Sequence, residues 1–126
     1  MNVPLGINRF TGDERLKTKG DYERVFQTKF RWFEGGFLVL AVPNGLLKAR
    51  LGISAPRKHI PRAFARNRIK RLIRESFRHH KSELIGWDVV AVAGKGSHRH
   101  TNKEIFTFLE KHWSNLGRCK GIYSDS

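Results

Sequence analysis

Arg66-Asn67-Arg68-Ile69-Lys70-Arg71-Leu72-Ile73-Arg74-Glu75-Ser76-Phe77-Arg78 carries two patterns at once. At 100° per residue, Ala65, Ile69, Leu72, Ile73, Ser76 and Phe77 fall on one side of a helix, while Arg66, Asn67, Lys70, Arg71, Arg74 and Arg78 sweep the other. One side is wide and apolar enough to lie on a sheet. The other belongs to a partner: ten Lys and Arg residues stand between positions 57 and 81 against a single acid, Glu75. A solvated helix face ordinarily mixes signs and pairs them four residues apart. This one repels itself until a polyanion neutralises it, which points to a phosphate backbone. Pro61 is a residue favoured in a helix's first turn, so the helix is expected over residues 61–80.

Working outward, residues 49–55 alternate: Ala49, Leu51, Ile53 and Ala55 face one way, Arg50, Gly52 and Ser54 the other. The small residues of that second face leave room for something to approach. Upstream, the apolar run 37–42 opens at Gly35-Gly36 and stops at Pro43-Asn44-Gly45, as a buried strand does. Thr18-x-x-Asp21 is a capping-box start for a short helix over 18–27, with Tyr22, Val25 and Phe26 on one side. Downstream, 88–93 reads as a strand and 94–97 as a surface loop. Thr101-x-x-Glu104 opens a mainly core helix through Ile105, Phe108, Leu109, His112 and Leu116, with Gly117 as its stop. These residues give the order α-β-β-α-β-α, a sheet with helices packed on it. We expect one domain over residues 16–117, a mobile tail over 1–15 and a C-terminal tail over 118–126.

The 126 residues carry 25 Lys and Arg against 11 Asp and Glu, a formal charge of +14, with a pI near 10.8. That balance lies on the nucleic-acid side of the usual threshold. Cys119 is the one cysteine and cannot close an internal disulfide, residues 1–10 lack the apolar core of a signal peptide, and no run has the length of a membrane span. The expected location is therefore cytoplasmic. His79-His80 and His98-x-His100 lack cysteine or carboxylate partners at ligand spacing, so no metal site is read. Nor is there a general-base and nucleophile pair, an HExxH or a GxxxxGK[ST] loop. Trp113 is expected in the core, and Trp32 either caps the sheet or faces RNA.

Arg50-Leu51-Gly52-Ile53-Ser54, Arg57-Lys58 and the Ala63-x-x-Arg66-Asn67-Arg68 run through Arg78 together resemble the bacterial ribonuclease P protein subunit, whose hallmark is the Arg-Asn-Arg segment. The similarity extends to Arg15-Leu16-Lys17, to Asp21-Tyr22-Glu23-Arg24-Val25-Phe26 and to the strand at 88–93, three blocks in the family's order. It implies an α+β fold: a single mixed sheet of about four strands packed with three helices, in the order α-β-β-(β)-α-β-α, with a left-handed β-α-β crossover against the general rule. It also implies a subunit that does not itself cleave. The family's catalyst is an RNA, which removes the 5′ leader of precursor tRNA with Mg2+ bound mainly by RNA and substrate. The protein binds that RNA and the leader, with no membrane and no oligomer implied.

Carried onto this sequence, the resemblance assigns RNA contact to Arg57, Lys58, Arg62, Arg66, Asn67, Arg68, Lys70, Arg71 and Arg74, and leader contact to Tyr22 and Phe26. Guanidinium groups suit phosphate because they grip two oxygens at once, and flat rings suit unpaired bases. The basic side chains lie outside the apolar seam, so truncating Arg66, Arg68 or Arg71 is expected to weaken RNA binding and spare the fold. The chain departs from the family at Leu40, where some members carry another aromatic, and at Pro56, where Ala or Ser is usual and where the strand is expected to end. Two rival readings are a ribosomal or tRNA-binding protein without an enzyme, and a duplex-DNA binder with the basic helix in a major groove.

Overall fold

The computed structural model describes residues 12–124, and side chains as far as residue 119. Two reciprocal caps start the outer helices. The Asp21 N–H donates to Thr18 Oγ1 at 3.0 Å and the Thr18 N–H to Asp21 Oδ2 at 3.4 Å, opening α1 (Lys19–Phe26). The Thr101 and Glu104 backbone amides exchange the same bonds with each other's side chains at 2.8 and 3.1 Å, opening α3 (Asn102–Ser124). Between them lie β1 (Phe30–Glu34), β2 (Phe37–Pro43), β3 (Arg50–Ser54), α2 (Ala63–His80) and β4 (Trp87–Ala93).

The strands form one mixed sheet in the order β1-β2-β4-β3. The pairs β1/β2 and β2/β4 are antiparallel, β3/β4 is parallel, and α2 makes the crossover that a parallel pair requires. β2 and β4 are central and, except at the row of Leu38 and Val92, covered on both faces, which is why their sequences run apolar without alternating. Phe37, Val39, Ala41, Val89, Ala91 and Ala93 pack beneath α2 and α3; Leu40 and Val90 pack with Val25 of α1 on the opposite face.

The seam of α2 is buried as its spacing predicts: Ala65, Ile69, Leu72, Ile73, Ser76 and Phe77 are its buried residues. Ser76 belongs there because its hydroxyl accepts the Trp113 indole N–H at 2.8 Å, so neither polar group is left unpaired. Trp113 also meets Phe77 edge-on at 5.8 Å. Trp32 packs against the same core and so caps the sheet.

The structure corrects several boundaries. Residues 12–15 are part of the domain and not of a tail: Gly12–Glu14 form a 3-10 turn and Arg15 bridges Leu51 on the β3 edge. The remainder of the expected N-terminal tail, residues 1–11, lies outside the described residues. β1 is the strand that residue patterning did not supply, because its alternation spans only five residues with charges at Arg31 and Glu34. α2 begins at Ala63 and not Pro61, since Arg62 is an extended N-cap. Gly117 does not stop α3. It keeps a negative φ, and its neighbours Leu116, buried, and Cys119, packed on the core, carry the helix through the expected C-terminal tail to Ser124.

His112 on α3 is fully buried, donating from Nε2 to the Glu34 carbonyl at 3.2 Å, while its Nδ1 has no partner. Burial pushes its pKa below the ordinary value, against the opposing pull of the Glu34 and Phe37 backbone and the Glu34 carboxylate. The unfolded chain therefore takes up a proton first as pH falls below about 6.5, and stability falls with it. We expect the melting temperature to drop between about pH 6.5 and pH 5, and His112→Gln to flatten that slope. An unchanged slope in the variant would place the acid sensitivity elsewhere.

Candidate nucleic-acid interface

The face of the sheet beneath α1 is organised in rows that cross the strands. Register places Arg31, Leu40, Val90 and Gly52 in one row, and Phe33, Leu38, Val92 and Ser54 in the next. α1 lies over the first. Tyr22 stands above Gly52 of β3, Val25 packs on Leu40 and Val90, and the chain leaves the helix directly into β1. The helix thus runs across the strands from β3 towards β1, with the second row open alongside it.

With Val25 pointing down, helical geometry sends Asp21 and Arg24 to one flank of α1 and Tyr22 and Phe26 to the other. The first flank is bolted down by a buried acid. Asp88, at 0% exposure, accepts Arg50 Nε at 2.8 Å and Arg50 Nη2 at 2.7 Å, Asn44 Nδ2 at 2.9 Å, and an ion pair from Arg24. Hydrogen bonding to Asp88 raises the Arg50 pKa further above its already high value, so Arg50 stays charged at any working pH. Arg24 also donates to the Pro43 carbonyl at 3.2 Å. Nothing in the residue pattern singled out Asp88 beyond an acid opening an apolar strand.

The second flank faces the open row. A Cβ built on Gly52 would lie 2.7 Å from the Tyr22 ring, so the space left by the small residues of β3 is taken by Tyr22 itself. The ring is half-buried and shares a groove at the β3 edge with Arg15, Leu16, Leu51, Ile53, Lys70 and Arg74. Phe26, one turn on, is 42% exposed. Leu40, where the family allows a further aromatic, is fully buried under α1 and offers no platform.

The basic array divides into two kinds of residue. Arg66 Nη1 donates to the carbonyls of Ile60 and Pro61 at 2.9 and 2.8 Å. Arg68 is held more firmly: Nη1 donates to the His98 carbonyl at 3.0 Å, and Nη2 to the His100 carbonyl and Asn102 Oδ1 at 2.9 and 2.7 Å. Arg66 ties the segment before α2 to the helix and Arg68 ties α2 to the loop before α3, so truncating either is expected to lower stability as well as RNA affinity. Arg57, Lys58, Arg62, Asn67 and Arg71 are exposed, and Lys70 and Arg74 half-buried. None of Lys70, Arg71 and Arg74 has a hydrogen bond or ion pair among the described residues. The acid of this helix is neutralised internally: Arg78, with help from His79, holds the Glu75 carboxyl below its ordinary range. The N-terminal half of α2 is thereby left purely cationic.

Two exposed rings escaped the sequence patterns because each stands alone. Phe33 on β1 is 71% exposed, and Phe64, in the first turn of α2 beside Arg62, is 70% exposed. Among the described residues no three histidine, cysteine or carboxylate groups converge to hold a metal ion, and the buried carboxylate of Asp88 is spent on its arginines. Cations and flat rings are the side chains that meet phosphates and bases.

Residues 10–117 match the family model described as Ribonuclease P. The chain is 43% identical to the ribonuclease P protein component of Nitrosococcus oceani over 107 residues, covering 85% of this chain and 90% of that one. It is 40% identical to that of Vibrio parahaemolyticus, covering 86% and 92%. Solved structures of the same kind superpose on it: the RNase P protein of Staphylococcus aureus, with TM-score 0.74 at 31% identity over 80% of this chain and 93% of that one, and that of Thermotoga maritima, with TM-score 0.68 at 33% over 83% and 96%. With family model, relatives and folds in agreement over most of its length, the chain belongs to the ribonuclease P protein family and is a subunit of that endonuclease.

Proposed function

We propose that the cationic half of α2 holds the catalytic RNA of ribonuclease P, and that the groove between α1 and the open sheet row holds the 5′ leader of precursor tRNA. Hydrolysis belongs to the RNA and its magnesium ions; the protein supplies phosphate neutralisation and a place for the unpaired strand. A cytoplasmic setting fits a chain in which no described helix is long and apolar enough to cross a membrane. The observation that carries the reading is the placement of Tyr22. Its ring lies at the junction of the two surfaces, sharing one groove with Lys70 and Arg74. A strand whose base stacks on Tyr22 has its phosphates within reach of α2.

Tyr22→Ala in the reconstituted enzyme is expected to lower affinity for precursor tRNA by about 1–3 kcal/mol, the range of a lost base stack, and to leave mature tRNA almost unaffected. Tyr22 also packs on the sheet, so thermal melting of the free protein accompanies the measurement. Equal losses for both RNAs at unchanged stability would move the leader off this groove.

A further inference from the structure

We infer that Phe33 is a third stacking platform, carrying the leader groove across the edge strand β1 so that it contacts leader nucleotides farther from the cleavage site than those at Tyr22. The inference rests on the leader reading above and extends it to a position of this chain where the sequence pattern offers no platform.

Alternation in β1 turns Phe30 and Trp32 towards the core beneath α2 and α3, which leaves Arg31 and Phe33 on the face of α1. Phe33 heads the open row, directly opposite Leu38, which in turn pairs with Val92, and Val92 with Ser54. Leu38 and Val92 are both half-buried, so the row forms an apolar floor from β1 to β3. Three inter-strand steps make that floor about 14 Å long. Tyr22 stands at its β3 end, Phe26 on its flank and Phe33 at its β1 end. Beneath Phe33 is Gly94, whose missing Cβ would sit 3.8 Å from the ring. The glycine itself is required by the Gly36 carbonyl, which a Cβ would meet at 2.8 Å, and the ring lies over this backbone pair with most of its surface exposed.

An apolar strip ending in a 71% exposed ring needs an occupant, and its surroundings specify a polyanion. β3 and β4 are parallel, so their C-terminal ends meet at the same side of the sheet, beside the open row. The loop after β3 presents Arg57 and Lys58, the loop after β4 presents Lys95, and Arg31 flanks the strip on β1; all four are exposed. A single-stranded RNA lying along the floor stacks its bases on the rings and sets its phosphates against these cations. A protein partner would be met by apolar area alone and would have to bury the cations.

The test is a leader-length series. Precursor tRNAs with leaders of about two to ten nucleotides are titrated against the reconstituted enzyme carrying the unaltered chain, Phe33→Ala, Phe33→Leu, Phe33→Trp or Tyr22→Ala. Phe33→Ala is expected to match the unaltered chain on short leaders and to lose roughly fivefold to tenfold in affinity on long ones, the lower end of a stacking contact. Phe33→Trp should restore the gain, and Phe33→Leu, which keeps apolar area without a π-face, should not. Loss in Tyr22→Ala with none in Phe33→Ala at any length overturns this inference and leaves the groove standing. Indifference of both variants removes the groove as well. A Phe33→Leu protein that binds like the unaltered chain, or an unaltered chain whose sedimentation shows pairing through β1 that Phe33→Ala abolishes, assigns the ring to apolar contact and overturns the stacking role.

Discussion

Asp88→Ala is expected to destabilise the fold by about 3 kcal/mol, the lower end of the range for breaking a buried ion pair, because Arg24 remains partly exposed and can be rehydrated. The loss has a definite origin. Arg50 donates two hydrogen bonds to Asp88 and is itself largely covered, so removing the carboxylate leaves a buried guanidinium with only Asp21, at 3.9 Å, to answer it. Asn44 loses an acceptor in the same step. Asp88→Asn keeps an oxygen for Asn44 and one Arg50 nitrogen, and should fall between. Urea denaturation reads the difference as a lower midpoint at unchanged slope. A loss below about 1 kcal/mol would mean that water replaces the carboxylate and that the cluster resembles an exposed pair. Because Arg24 anchors one flank of α1, the variants should also blunt leader discrimination by letting Tyr22 shift over Gly52.

The combined replacement of Lys70, Arg71 and Arg74 by Ala should leave melting temperature nearly unchanged while cutting deeply into binding of the catalytic RNA. None of the three has a hydrogen bond or ion pair within the described residues, so in the proposed reading their charges are left for the catalytic RNA. Each phosphate contact contributes about 0.7–0.9 to the log–log salt slope, and loss of three should flatten it by about 2–3. Affinity falls most at low salt, where counterion release is worth most. Filter binding across a salt series measures this directly. Arg68→Ala is the contrast: it removes hydrogen bonds to two carbonyls and to Asn102, so melting temperature should fall along with affinity. A triple variant with an unchanged slope would put the RNA on another face of the molecule.

Where local rules decide structure, the chain is legible. The buried side of α2 follows from its 3.6-residue period, and the two capping boxes from spacing of Thr with Asp or Glu. The continuous apolar runs of β2 and β4 announce strands covered on both faces over most of their length. Three features were hidden because their causes lie far apart in the chain. Gly117 reads as a stop until the burial of Leu116 and the packing of Cys119 show what carries the helix onward. Gly52 reads as space for a ligand until α1 delivers Tyr22 into it. Arg66 and Arg68 look equivalent to Arg71 in sequence, and only the placement of the Ile60 and His98 carbonyls separates arginines bonded within the protein from one whose charge is left unpaired among the described residues. The cationic face itself was visible in outline, since charge of one sign cannot be hidden; which of its members stay free is a tertiary property.

The place of β4 between β2 and β3 also sets an order of events. β1 and β2 can pair as a hairpin, but β4 reaches both β2 and β3 only after the whole of α2 has crossed the sheet. Closure therefore waits on a distant contact, the kind that slows folding, and the segment that must compact first is the one with the densest like charge. Added salt screens that repulsion and should speed the refolding of the isolated protein, even as it weakens attachment to RNA. The same ions therefore push the two stages of assembly in opposite directions.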